Sequence, residues 1–272
     1  MQLEILICTY NDRIARAAEV LLPEQEKIKY LISYQLFDYE RSPNDELVLD
    51  ALSKRSDVRV VTTFSKGLSR NRNSALENAT GDVLLISDDD AKYSSPQLDK
   101  ILRVFDSSPS DIITFKIVTP DEGDYKRYSN TAFQHNKFSV LRVSSLEIAI
   151  RRQEILKRHL IFDEQFGLGA QYPACEEAVF LASALEAGMQ VSFEPVAMVV
   201  HPRESSGRSW SSDDSVKVRG ALFKRIFGYA GLPLLAAFAL KQFPGYSHNY
   251  SLFRFLRLSI TSFVHYSKGK PT

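Results

Sequence analysis

Of 272 residues, only two are cysteine, three are methionine and one is tryptophan. Two cysteines, Cys8 and Cys175, build neither a disulfide framework nor a metal-ligand spacing. An apolar core must therefore hold the chain together, and a reducing, cytoplasmic location is the expectation. Cys8 sits in the apolar run ILIC and reads as a small core residue. The sequence has no low-complexity tract or repeat, and its 44% hydrophobic and 25% charged residues exclude general disorder. The opening MQLEILICTYNDR offers a strand-length apolar run without a basic leader, unlike a secretory signal. Long hydrophobic runs are also lacking. The longest, residues 226–240, holds fifteen residues and is interrupted by Gly231 and Pro233. As a helix it would reach about 22 Å, short of a hydrocarbon layer of about 30 Å.

A further absence divides the chain. Residues 216–272 contain nine lysines and arginines and no aspartate or glutamate, so the first 215 hold 25 basic against 33 acidic residues, a net charge of −8. Within the basic stretch, residues 216–227 and 251–264 mix Val, Leu, Ile and Phe with lysine and arginine. Basic amphipathic helices suit an anionic membrane surface. Packing of the same helices on the acidic body, or on a second subunit, accounts equally for the pattern. No aromatic platform or nucleic-acid motif accompanies the charge, so nucleic acid is not an expected partner. The oligomeric state is not legible.

What is present is a regular alternation. Residues 3–9, 28–34, 58–62, 82–86 and 111–118 read as strands. Between them, residues 15–22, a segment opened by Ser42-Pro43, one capped by Ser69 and ended by Gly81, and one opened by Ser94-Ser95-Pro96 read as helices, with Asn11 able to cap the first. This order predicts an α/β fold with a mostly parallel, Rossmann-like sheet covered by helices on both faces and a helical C-terminal extension. Ligands in such folds bind at the carboxyl ends of the strands. Residues 120–138 are polar and turn-rich. Beyond them, helices are expected at 145–157 and 176–187, with short strands at 191–193 and 196–200.

The fourth strand, VLLIS, runs into Asp88-Asp89-Asp90. Three adjacent carboxylates repel one another and need positive charge beside them. Asp88 and Asp90, two apart, can point the same way and offer oxygens to a hard cation; an Asp-rich turn capping the next helix explains them as well. Upstream lies Lys66-Gly67-Leu68-Ser69-Arg70-Asn71-Arg72-Asn73, where helix-start N–H groups with Arg70 or Arg72 favour a phosphate. An ordinary capped helix with solvated arginines is the plain alternative. Together the two segments suggest a nucleoside diphosphate site.

Four motifs in order then resemble a known family. They are Thr9-Tyr10-Asn11 after the first strand, the Gly67–Asn73 segment, residues 79–90, and Phe166-Gly-Leu-Gly-Ala170 followed by Pro173-Ala-Cys-Glu176-Glu177 and, further on, by Glu194-Pro195 to His201-Pro202. The chain, over about residues 3–202, is similar to the family 2 inverting glycosyltransferases of the GT-A fold. That resemblance implies a catalytic domain at residues 1–213, with a nucleotide-sugar half to about 118 and an acceptor half beyond, and a separate basic region at 214–272. It implies that Thr9, Tyr10 and Asn11 lie against the nucleoside and that Arg72 lies beside the diphosphate or the ribose. Lys66, Gly67, Ser69 and Asn73 join them around the donor, and Asp88 and Asp90 hold a divalent metal, Mn²⁺ or Mg²⁺. Asp89 either touches the donor sugar or faces away.

The catalytic base falls on Glu177, where relatives carry aspartate, or on Glu176; an acidic first turn of a helix is the structural alternative. Where relatives have an Asp-rich turn after strand two, this chain has Ser33-Tyr-Gln-Leu-Phe-Asp38, which leaves Gln35 or Asp38 to meet the nucleoside. His201 is a metal or diphosphate ligand by the same resemblance, or a structural histidine. The implied activity is metal-dependent transfer from a nucleotide-diphosphate sugar, a UDP-sugar for preference, to a hydroxyl of a surface glycan or lipid-linked acceptor. The site of action would be the inner face of the cell membrane. A catalytically silent glycan-binding or scaffold homologue remains open. So does a nucleotidyltransferase, although CTYNDRIAR lacks the glycine-rich loop that such an enzyme needs after its first strand.

Overall fold

The computed structural model describes residues 1–121, 123–202, 210 and 212–268. The first half alternates as the pattern predicts: β1 (Leu3–Tyr10), α1 (Ile14–Glu19), β2 (Ile28–Gln35), α2 (Pro43–Ser53), β3 (Val58–Thr63), α3 (Leu68–Asn78), β4 (Val83–Asp88), α4 (Ser95–Ser107) and β5 (Ile112–Val118). Next come β6 (Phe133–Gln134), β7 (Ile148–Arg151), α5 (Arg152–Arg158), α6 (Glu176–Glu186) and β8 (Val191–Val200). Helices α7 (Asp213–Phe227), α8 (Gly231–Tyr246) and α9 (Leu252–His265) complete it.

One eight-stranded sheet runs β3-β2-β1-β4-β7-β5-β8-β6. β1 pairs in parallel with both β2 and β4, so the chain reverses its winding there and opens a crevice at their carboxyl ends. The register sets Cys8 opposite Asp88 and Tyr10 opposite Gln35. The two-residue period of the strands divides the core. Leu3, Ile5 and Ile7 face one side with α1 and α4, while Leu6 and Cys8 face the other with α3, α6 and α7. Val83, Leu84, Leu85 and Ile86 are almost wholly buried, each contributing roughly 1.5–3 kcal/mol of transfer free energy. Both α2 and α4 begin at the serines expected to open them, and the N–H of Ser42 and of Ser94 donates to the side chain three residues on, Asp45 and Gln97.

The structure corrects several local expectations. Residues 145–157 are not one helix: a 3-10 turn leads into β7, which pairs antiparallel with β4 and β5, and only Arg152–Arg158 is helical. Ile148, Ala149 and Ile150 are fully buried there, and pairing two central strands outweighs their helical pattern. Residues 191–193 and 196–200 are one strand whose register shifts about Glu194-Pro195, where proline has no N–H to offer the ladder. α3 is capped by Gly67, at φ 121°, and not by Ser69. Asn11 caps nothing. At φ 44° it turns its amide to both backbone groups of Phe37, donating to the carbonyl at 3.1 Å and accepting from the N–H at 3.1 Å.

The basic C-terminal region is tied to the body. Val218, Ala221, Leu222 and Ile226 of α7, with Tyr266, belong to the core that α3 and α6 build. The segment Asp213–Tyr246 is long and apolar enough by composition to cross a membrane, but it divides at Gly228.

Candidate active site

Each of the three consecutive carboxylates has its own arginine. Asp88, at the end of β4, receives Arg72 Nη2 at 3.1 Å on Oδ1 and the Ser145 hydroxyl at 3.3 Å on Oδ2. Asp89 is buried, bonded to Arg13 and to the Thr9 hydroxyl at 2.8 Å. Its pKa is nonetheless raised, because burial outweighs those partners. Asp90 points to the crevice, with Arg16 Nη2 at 3.3 Å and His201 Nε2 at 3.4 Å. The hydrogen bond to His201 holds Asp90 below the usual carboxylate range and raises the histidine in turn. Arg13 and Arg16, one helical turn apart after β1, were a detectable counterpart to the aspartates.

Arg72 is buried between two carboxylates. It is 1% exposed, and besides Asp88 it holds Glu176 through Nη1 at 2.9 Å, with its guanidinium 5.5 Å from the centre of the Phe162 ring. Burial disfavours its charge, but Asp88 and Glu176 overcome that and keep it protonated. Glu176 is itself buried. Among the described residues Glu177 has no such ion pair. Burial, and then the charge of Glu176, push its carboxyl up to about 8.

Two clefts meet at Asp88, His201, Leu68 and Leu168. The first, about 530 Å³, is lined by Tyr10, Gln35, Lys66, Gly67 and all three aspartates. Phe37 and Arg13 line it too, unforeseen from the sequence. Phe37 lies stacked on Tyr10, centroids 5.8 Å apart at 21°, with Lys66 Nζ 5.3 Å from its centre. This is a flat aromatic face beside a cation. The second cleft, about 610 Å³, holds Arg72, Glu176 and Glu177, with Ser145, Tyr125 and Arg219 on its walls.

The remaining expected residues support these walls without lining them. Thr9 lies beneath the floor, its carbonyl accepting from Asn71 Nδ2 at 2.9 Å. Asn73 is bonded to both backbone groups of Phe162, and the Ser69 hydroxyl donates to the Phe166 carbonyl at 2.6 Å. Asn11 is clamped on Phe37, and Asp38, at φ 50°, sits in the turn beyond β2. Ser69, with the Leu68 N–H bonded to the Leu168 carbonyl at 2.9 Å, pins the Phe166–Ala170 loop over α3. Gly167 and Gly169, at φ 101° and 81°, let it fold so closely.

The three expected metal ligands do not form one cluster. Among the described residues no group of three His, Cys, Asp or Glu is placed to hold a metal ion. Asp90 and His201 do face each other, and His201 Nδ1 donates to the Pro202 carbonyl at 2.7 Å, which leaves Nε2 for the crevice. That second-sphere bond fixes a ligating tautomer. The pair offers a divalent cation two ligand atoms on the crevice side, whereas Asp88 is turned to Arg72 and Ser145.

A family model described as glycosyl transferase family 2 matches residues 5–175, well over half of the sequence. The chain belongs to that family. The succinoglycan biosynthesis protein ExoM of Rhizobium meliloti (strain 1021) is 20% identical over 211 residues, covering 74% of this chain and 67% of ExoM. Two S. aureus TarS 1-349 structures superpose along the chain. One, without a named ligand, has a TM-score of 0.65 at 15% identity and covers 97% of this chain and 80% of its own. The other, in complex with UDP-GlcNAc, has a TM-score of 0.68 at 16% identity, with coverages of 96% and 79%. These likenesses fix the GT-A type of fold, and family membership makes the protein a glycosyltransferase. The family match ends at Cys175, one residue before the Glu176-Glu177 pair.

Proposed function

We propose that the protein transfers a sugar from a nucleotide-diphosphate donor, a UDP-sugar, to a hydroxyl of a cell-surface glycan or lipid-linked acceptor, with inversion at the anomeric carbon. One observation carries this reading. A cleft with an aromatic face and three aspartates opens, at Asp88, onto a second cleft where Glu177, alone of its three carboxylates, has no ion pair among the described residues. The UDP-GlcNAc held by the related TarS supports the donor class.

In this reading Tyr10 and Phe37 stack the nucleobase, and Gln35 meets its edge. Lys66 lies along the diphosphate as a point charge. Asp90 and His201 would hold Mn²⁺ or Mg²⁺, which supplies positive charge to the leaving group when bound. Arg72 ties Asp88 to Glu176 and holds the two in register. Glu177 then takes the proton of the acceptor hydroxyl as its oxygen attacks the anomeric carbon. The bond to the diphosphate breaks with its electron pair leaving on the diphosphate oxygen. Glu176 is the poorer base, because its Oε1 is fixed on Arg72 at 2.9 Å.

The C-terminal helices add a place of action. Phe253, Ile260 and Val264 on α9, with Leu240 and Phe243 on α8, are exposed beside Lys241, Arg254 and Arg257. That chemistry suits a peripheral seat on an anionic membrane, where lipid-linked acceptors reside. Metal-dependent hydrolysis of UDP-, GDP- and dTDP-sugars tests the whole reading. Release of one nucleoside diphosphate is expected, with UDP-GlcNAc the first donor to try. No turnover with any of them, alongside metal-dependent UDP binding, would point to a silent homologue.

A further inference from the structure

The helix that bears Glu177 is splinted along its length by a helix outside the family-matched residues. α7 runs beside α6 in the same direction. At its middle Arg219 Nη1 lies 2.7 Å from Cys175 Sγ, at the residue that precedes α6. Six residues on, Arg225 Nη2 donates to the Ser183 hydroxyl at 2.6 Å and Nη1 to Glu186 at 3.2 Å, at the end of α6. Arg225 also faces Asp163 at 3.6 Å, and Lys137 ties Glu186 to the Ile226 carbonyl, both at 3.0 Å. Six helical residues advance about 9 Å and an arginine reaches several more, so contacts at both ends of the eleven-residue α6 fix its position along α7.

The contact at the start falls on the most constrained point. Cys175 is a non-glycine residue at φ 70°, ψ 14°, a left-handed conformation that costs about 1–2 kcal/mol and persists only where neighbours impose it. It caps α6 without any side-chain bond to the helix N–H groups. The turn is gripped from two sides, with Arg72 of α3 on Glu176 and Arg219 of α7 on Cys175, and Glu177 stands next in line. Arg219 also lines the same cleft as Glu177, and its guanidinium lies 5.5 Å from the Trp210 ring. α7 is itself immobilised from behind: a Cβ at Gly220 would meet the Ser259 carbonyl of α9 at 1.9 Å.

We infer that the C-terminal extension is part of the active site, with Arg219 the positioning residue that holds the Cys175-Glu176-Glu177 turn in its working geometry. The inference rests on the glycosyltransfer reading only for its catalytic consequence. The turn itself can be followed without turnover. Cys8, in β1, is buried but lines the first cleft, so labelling is followed in a Cys8→Ser background, where Cys175 is the remaining thiol.

The experiment compares wild type with Arg219→Met and Arg219→Lys. It measures labelling of Cys175 by a disulfide reagent, the pH at which Glu177 titrates (read from the pH dependence of the melting temperature against a Glu177→Gln background), donor affinity and kcat. In Arg219→Met, labelling should accelerate about tenfold or more as the turn opens. The Glu177 midpoint should fall from about 8 toward the ordinary carboxylate range as water enters. kcat should drop about 10- to 100-fold at unchanged donor affinity, the scale of a carboxylate misplaced by about 1 Å. Arg219→Lys should recover part of each change and keeps the test available if the methionine variant does not fold. Faster labelling with an unmoved midpoint would overturn the inference, because Arg219 would then only cover a thiol. Unchanged labelling in both variants would overturn it equally. If the wild type transfers no sugar, the glycosyltransfer reading fails while the labelling and titration results still decide this one.

Discussion

The sharpest prediction concerns Glu177 and pH. Its carboxyl is pushed up to about 8 by burial and by the neighbouring Glu176. A base of that pKa is about one-tenth ionised at pH 7 and about one-hundredth at pH 6, so kcat should rise about tenfold per pH unit over this range and level off near pH 8. Glu177→Gln should bind donor normally and lose transfer by about 10²–10⁴-fold, the usual contribution of a positioned base. Glu177→Asp withdraws the carboxylate by one methylene and should lose less. The same shift leaves a mark on stability. Between about pH 4.5 and 8 the folded protein keeps a proton on Glu177 that the unfolded chain has released, so this group makes stability fall as pH rises through that window. Glu177→Gln should therefore gain melting temperature over wild type, increasingly toward pH 8. Initial rates from pH 5.5 to 9 with scanning calorimetry on both proteins test the argument. A flat rate profile between pH 6 and 8, or an active Gln variant, refutes it.

Other outcomes follow from the same geometry. Asp90→Ala should abolish Mn²⁺-dependent UDP binding in a calorimeter, and His201→Ala should weaken metal affinity about 10- to 100-fold by removing the partner with the fixed tautomer. Arg72→Met strips the cation from two carboxylates in a buried site, so chemical denaturation should show a loss of about 3–5 kcal/mol; a loss below 1 kcal/mol would mean the pair relaxes into water. Phe253→Ser with Val264→Ser should reduce co-sedimentation with anionic liposomes and leave donor hydrolysis intact. These point changes test the membrane seat better than truncating the tail. Removing α7 would expose the core around Val218 and Leu222 and unfold the body.

The sequence alone determined what depends on local pattern. Strand and helix periods, the serines that open helices at Ser42 and Ser94 and the apolar β4 ending in Asp88 are short-range features, and they established the sheet, its ligand-bearing edge and the carboxylates there. Pattern could not place β7, because Ile148–Arg151 has a helical period and becomes a strand only where β4 and β5 offer unpaired edges on either side. Nor could it assign partners. Arg72 reads from sequence as a phosphate ligand, yet long-range packing buries it between Asp88, sixteen residues away, and Glu176, at a separation of 104. The same limit applies to Phe37 and Arg219, which carry no motif and reach the clefts only through the turns of the chain. The tertiary structure decided which charges are neutralised internally and which face a ligand. That choice depends on burial and distance, and neither is written in any one segment. The three aspartates show the division: the sequence put them at the end of β4, and packing gave each its own arginine while leaving Asp90 and His201 turned to the crevice.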